Sequence, residues 1–223
     1  MAPVHHHFWH WHRSTFVLPT MLVLVAALCL KPPVHAETVE PRSAQEILEA
    51  LSESQQSDTF QIPFREVRRY QLRKTDMIFH GTLRLLENRA ISIEYSDPVH
   101  RLFILDDQGL RIREPESGLE TVAPEEAGAM VSLFLDLLAL DITRLQRQFS
   151  MSVLEDKPDG WKVELIPETR ELHRFVLAID LEGEGTELKS IFLQHGRSRW
   201  KRIEFDTLPQ PWTPDADSLQ MYF

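Results

Sequence analysis

The sequence predicts an α+β chain built on an antiparallel sheet that is interrupted midway by one strongly apolar helix. Met77, Phe79, Gly81, Leu83 and Leu85 fall on alternate positions, with His80, Thr82 and Arg84 between them. A period of two marks a strand with one apolar and one wet face. Short breakers separate that run from Ile91, Ile93 and Tyr95 and from Leu102–Leu105, the spacing of an antiparallel meander. The block Ala127–Leu140 has Ser132 and Asp136 as its polar side chains and reads as a helix apolar over most of its circumference.

Taken in order, the first 36 of the 223 residues read as a secretory signal peptide. Arg13 precedes an apolar stretch from Phe16 to Leu30, broken by Pro19, and Val34-His35-Ala36 supplies a cleavage site. The stretch is short for a transmembrane helix, so no stable membrane insertion is expected. Cleavage after Ala36 leaves Glu37–Phe223, 187 residues once 36 are removed from 223, which suits a single domain. Cys29 follows Leu28, where a bacterial lipobox needs a small residue, so it is read as discarded with the leader, and no thiol chemistry remains. The histidines at 5, 6, 7, 10 and 12 leave the same way, and neither a metal nor a cofactor is expected. The leader takes two bases (Arg13, Lys31) and no acid, which leaves 22 basic against 34 acidic residues and a net charge of −12 with His neutral. That balance excludes a basic nucleic-acid footprint and disfavours adhesion to anionic bilayers.

After a polar lead-in, Ser43-Ala44-Gln45-Glu46 is a capping box that opens a helix with Ile47, Leu48 and Leu51 on one side. A strand is expected around Phe60–Leu72, with Arg65, Arg69 and Arg73 on a shared face that is either solvated or a docking patch. Asp106-Asp107-Gln108-Gly109 reads as a turn, with Leu110 and Ile112 in the returning strand and Glu114–Gly118 as the next turn. Pro124-Glu125-Glu126 opens the apolar helix, which is either a core helix or a lid over a cavity. Asp141 can cap a short helix, Ile142–Gln148. Five strands are then expected: Phe149–Leu154, Trp161–Leu165, Phe175–Leu181, Leu188–Gln194 and Arg199–Phe205. Leu208–Phe223, with three prolines, is expected as an extended tail on the sheet edge or a mobile end.

Motifs of nucleophilic, zinc-protease, P-loop or dinucleotide chemistry are missing, and His80, His100, His173 and His195 have no ligand spacing. An enzyme is therefore not expected; a lipid-acting one would need a polar constellation inside the fold.

The chain resembles the LolA family of periplasmic carriers of outer-membrane lipoproteins, over roughly Ser43 to Phe205. The family's phenylalanine-bearing strand, G-x-L strand, basic residue, aromatic strand and proline are matched by Phe64, Gly81-Thr82-Leu83, Arg89, Tyr95 and Pro98. Its I/V-x-D-G turn and W-x-L/V-x-L-x-P strand resemble Ile104–Gly109 and Trp161–Pro167. Ala90 and Tyr95 stand where the family usually has Pro and Trp, which places the resemblance nearer the divergent LolA-related branch. The resemblance implies an incomplete, strongly curved antiparallel half-barrel, with helices over the open mouth and an apolar cavity between. It also implies a lid-latching role for Arg89.

The expected function is a periplasmic, monomeric carrier of lipoprotein or other acylated cargo between an inner-membrane donor complex and an outer-membrane acceptor. Its cavity would be lined by Leu83, Leu85, Ile91, Ile93, Tyr95, Phe103, Met130, Phe134, Leu137, Trp161, Phe175 and Phe192. The alternative is a non-transporting interaction protein that uses the same sheet as a docking scaffold. An open cavity under Ala127–Leu140 separates the two.

Overall fold

The computed structural model describes residues 41–55, 57–70, 72–87, 89–122, 133 and 135–223. A strongly curved antiparallel sheet forms the body. Its first meander is β1 (Phe60–Arg69), β2 (Met77–Leu86), β3 (Ala90–Asp97), β4 (Arg101–Asp106), β5 (Gly109–Glu114) and β6 (Leu119–Val122). The second is β7 (Phe149–Lys157), β8 (Gly160–Pro167), β9 (Ala178–Glu184), β10 (Glu187–Gly196) and β11 (Arg199–Glu204). The strand order β6-β5-β4-β3-β2-β1-β11-β10-β9-β8-β7 joins the two meanders through β1 and β11, and among the described residues β6 and β7 are its unjoined edges. The sheet is therefore an open half-barrel. Register shifts within the β2–β3, β7–β8, β9–β10 and β10–β11 pairs add the local twist that curling requires.

The helices whose full bounds lie among the described residues are α1 (Ala44–Ser54), α2 (Ile142–Gln148), α3 (Arg170–His173) and α4 (Ala216–Tyr222). The predicted capping box opens α1: Glu46 N donates to Ser43 Oγ at 3.2 Å, and Ser43 N donates to Glu46 Oε2 at 2.6 Å. Ile47, Leu48 and Leu51 then enter the concave core beside Phe149, Val163, Leu165, Ile179, Leu181 and Ile191. Arg42 fixes the start of α1 by pairing with Asp156 of β7 at 2.6 Å. Asp141 caps α2 by accepting from Arg144 N, and Leu145 is fully buried.

Several expectations need correction. Phe175 and Leu177 do not belong to β9, which begins at Ala178. Thr169 caps α3 ahead of it, and the Val176 amide bonds back to the Leu172 carbonyl, so Val176 is buried and Leu177 is exposed. Strand β6 was not expected. Strand β1 stops at Arg69, which leaves Arg73 beyond it, while Arg65 and Arg69 pair with Glu204 and Asp76. The apolar block Ala127–Leu140 lies outside the described residues up to 132 and at 134; Leu133 and residues 135–138 are helical.

The C-terminal tail is neither an edge strand throughout nor loose. Gln210–Pro211 pairs with the start of β1, and α4 then packs on the convex face. Strand β4 is apolar on both sides. Phe103 and Leu105 face the concave core, whereas Leu102 and Ile104 are buried outside that cluster and need cover. Arg111 donates to the Phe223 carbonyl and Arg113 to the Met221 carbonyl, both at 2.6 Å. Arg84 lies 3.5 Å from the Tyr222 ring centroid.

Candidate functional site

The concave face has two open ends of different character. At the first, the parity of β1 sends Phe60, Ile62 and Phe64 inward, and the same parity continues to Glu66 and Arg68. Glu66 is fully buried. Its carboxylate accepts from the Tyr95 hydroxyl at 2.6 Å and from Arg68 Nε. The β1–β11 register sets Arg68 directly opposite Lys201 and Glu66 opposite Ile203. The Arg68 guanidinium lies over the Phe79 ring, 4.2 Å from its centroid, and Tyr95 meets Phe64, Phe79 and Phe103 edge-on. Gly81 makes this stacking possible, since a Cβ there would sit 2.1 Å from the Glu94 carbonyl and 2.7 Å from the Phe64 ring. A cavity of about 350 Å³ opens here, with Leu83, Ile93 and Ile203 on its apolar wall and Glu66, Arg68 and Lys201 on its charged one.

The charges are mutually tuned. Burial alone would raise the Glu66 pKa, but the Arg68 hydrogen bond, the Lys201 and Arg68 charges and the Tyr95 hydroxyl hold it below the usual carboxylate range. Burial, reinforced by the Glu66 charge, pushes the Tyr95 phenol up. Burial pushes the Lys201 ammonium down against the attraction of Glu66. His195, whose Nδ1 lies 2.6 Å from the Phe175 carbonyl, is also lowered by burial.

The second opening lies under the helical turn at 135–138. Leu137, Leu138 and Leu140 roof a cavity of about 300 Å³ above Phe60, Ile62 and Phe205. Ser54 at the end of α1 ties its rim together by donating to the Thr186 carbonyl at 3.0 Å. Buried Asp136 anchors the turn to α2, accepting from Arg144 at 3.2 Å and Gln148 at 3.3 Å. Leu140 ends the turn in the left-handed region at φ 49°.

The expected cavity residues divide among several places. Leu83, Ile93, Tyr95 and Phe103 line the first opening and Leu137 the second. Leu85 and Ile91 lie in the concave core between strands. Trp161 is packed over Gly183, where a Cβ would meet its ring at 2.3 Å, and its indole donates to the Gly185 carbonyl at 2.9 Å. Phe175 is half-buried beside His195. Phe192 stands on the convex face, opposite Arg202 and 5.5 Å from the Trp200 ring, because its neighbours Ile191 and Leu193 take the inward positions. Met130 and Phe134 lie outside the described residues. Arg89 is exposed in the β2–β3 turn, 3.8 Å from Glu87, and the stretch 127–132 that would carry latch carbonyls lies outside the described residues.

Glu66, Arg68, Lys201 and His195 were not anticipated as cavity residues. The signal was strand parity: Glu66 and Arg68 are in phase with Phe64, and Lys201 with Ile203 and Phe205. Among the described residues, no three His, Cys, Asp or Glu side chains gather to hold a metal, and no helix is long and apolar enough to cross a membrane.

No family model matches the chain, and no curated protein matches it. Among solved structures, it is similar to a chain of the Pseudomonas aeruginosa MucA/MucB complex (TM-score 0.44, 14% identity), covering 79% of this chain and 60% of that one. A LolA superfamily protein from Nitrosomonas europaea gives a TM-score of 0.42 at 11% identity, covering 79% and 96% of the two chains. A Vibrio parahaemolyticus domain named for outer membrane lipoprotein sorting gives 0.44 at 7% identity, covering 80% and 96%. This chain thus spans 60% of the length of the first of these.

Proposed function

We propose that this protein is a periplasmic carrier that holds acyl chains of lipoprotein or other lipidated cargo against its concave face and passes them from an inner-membrane donor to an outer-membrane acceptor. The observation that supports this is the open apolar cavity beneath Leu137, Leu138 and Leu140. A filled core would leave no such space under the helical turn that faces it. Acyl chains entering there replace the turn's leucines against Phe60, Ile62 and Phe205, and each buried CH₂ stabilises binding by ~0.8 kcal/mol. Two or three chains therefore offset the packing that the turn gives up when it lifts. Transfer follows differences in affinity between donor, carrier and acceptor and needs no covalent step.

Titration with a fluorescent fatty-acyl probe tests the reading. Uptake by the native protein and its loss in Leu188→Trp, which fills the cavity from β10, are expected. Equal uptake by the two proteins, or none by either, overturns the proposal.

The docking-scaffold reading is supported by one separate feature. Among the described residues, β6 is the last strand at its edge of the sheet, with Leu119 and Val122 54% and 75% exposed. Such an edge can accept a partner's strand.

A further inference from the structure

We propose that the C-terminal segment from Asp206 to Phe223 is a strap on the rim of the second cavity, latched at its far end on the convex face, and that acyl chains enter and leave when it swings out. This rests on the carrier reading and assigns that site its gate. The chain is pinned at Phe205, which is buried and whose amide donates to the Lys189 carbonyl at 2.9 Å. Beyond it, Leu208, Pro209, Gln210 and Pro211 line the cavity together with the roof leucines. Little holds this wall in place. No side chain from Asp206 to Phe223 is buried, and Leu208 is 50% exposed. The pairing with β1 is two residues long, Phe60 with Pro211 and Gln61 with Gln210, and Pro211 has no amide to give it. The Trp212 amide adds a bond to the Thr59 carbonyl at 3.2 Å.

The roof is held differently: Leu137 and Leu138 are buried, and Asp136 accepts from both Arg144 and Gln148. A segment with few buried contacts opens locally at low cost. The far end of the strap supplies the hold that the near end lacks. Arg111 and Arg113 donate to the Phe223 and Met221 carbonyls, and Arg84 stacks on the Tyr222 ring. Trp212 joins this latch to the rim: its amide bonds to Thr59, while its ring lies 6.1 Å from that of Tyr222 and 6.2 Å from that of Phe223. The cavity, about 300 Å³, stands at the lower limit for a site that holds a small ligand. A long acyl chain therefore needs the rim to part before it can displace the roof leucines, and the strap is the weakly held part of that rim. Such gating by a hinged segment controls entry and release without altering the bound state.

The test locks the strap shut. Gln61 and Gln210 are register partners, and Gln61 alternates with the inward Phe60 and Ile62, so a link between them closes the strap without filling the cavity. Gln61→Cys/Gln210→Cys in the full processed protein, whose sequence from Glu37 onward has no cysteine, sets a reducible bond across this pair. With the fluorescent fatty-acyl probe in stopped flow, the oxidised variant is expected to lose uptake and the reduced one to recover the native rate. Tyr222→Ala, which frees the latch at a residue outside the cavity lining, should speed both uptake and release. Native uptake by the oxidised variant overturns the strap and leaves the carrier reading standing. Unchanged rates in Tyr222→Ala overturn the latch and the proposal with it. Uptake by none of these proteins, the native one included, overturns both readings.

Discussion

The two ends of the concave face obey one rule and reach opposite results. Along β1 every second residue points inward: Phe60 and Ile62 at the apolar end, Phe64 in the middle, Glu66 and Arg68 at the charged end. At ~3.3 Å per residue, Phe60 and Arg68 are about 26 Å apart. A single strand therefore carries the concave surface from oil to charge over roughly the length of a long acyl chain. The ends also differ in energetics. Apolar burial stabilises the fold directly, whereas the charged group is tolerated because each member has a named partner.

The largest effect that would break this comparison is at the charged end. Glu66→Ala leaves Arg68 and Lys201 opposed without their shared carboxylate, and a loss of about 3–5 kcal/mol in urea unfolding is expected. Leu137→Ala at the apolar end should cost about 3 kcal/mol, and saturating acyl probe should restore part of it by filling the space.

Acidification separates the ends by sign. The folded Glu66 pKa lies below its unfolded value, so its contribution is complete above the ordinary carboxylate range and lost as pH falls through the folded value. Urea midpoints measured downward from pH 7 should therefore fall more steeply in the native protein than in Glu66→Gln. Leu137→Ala should keep the native slope.

On the convex face, Tyr222→Ala removes the ring beneath Arg84 and should cost about 1 kcal/mol, with faster amide exchange in α4 than in the concave core. Arg89→Ala should change stability by less than about 0.5 kcal/mol, since the side chain is exposed and its acid partner is 3.8 Å away. A change in acyl-probe affinity in that variant would restore the latch role that the LolA resemblance implies.

Most of the sheet was legible because one wet face makes a clear alternation, as in Met77–Leu85 and Trp161–Leu165. The failures have physical reasons. Phe192 was expected to line the cavity, but Ile191 and Leu193 hold the inward parity. Phe175 and Leu177 continued an apparent alternation that the Thr169-capped turn interrupts. Leu102–Leu105 showed a continuous apolar run, the mark of a strand buried on both faces. The charged end was missed because its residues come from β1, β3 and β11, and the β1–β11 pairing joins positions far apart in the chain. Extending the inward parity past Phe64 would have placed Glu66 and Arg68 inside, but the partnership with Lys201 belongs to the fold.

The most direct test of the carrier account is native mass spectrometry on the protein recovered from its own cells, before and after organic extraction. The account predicts a bound acylated species that extraction removes and that Leu188→Trp fails to retain. A clean unliganded mass from both proteins, with no uptake of an acyl probe by either, would contradict it.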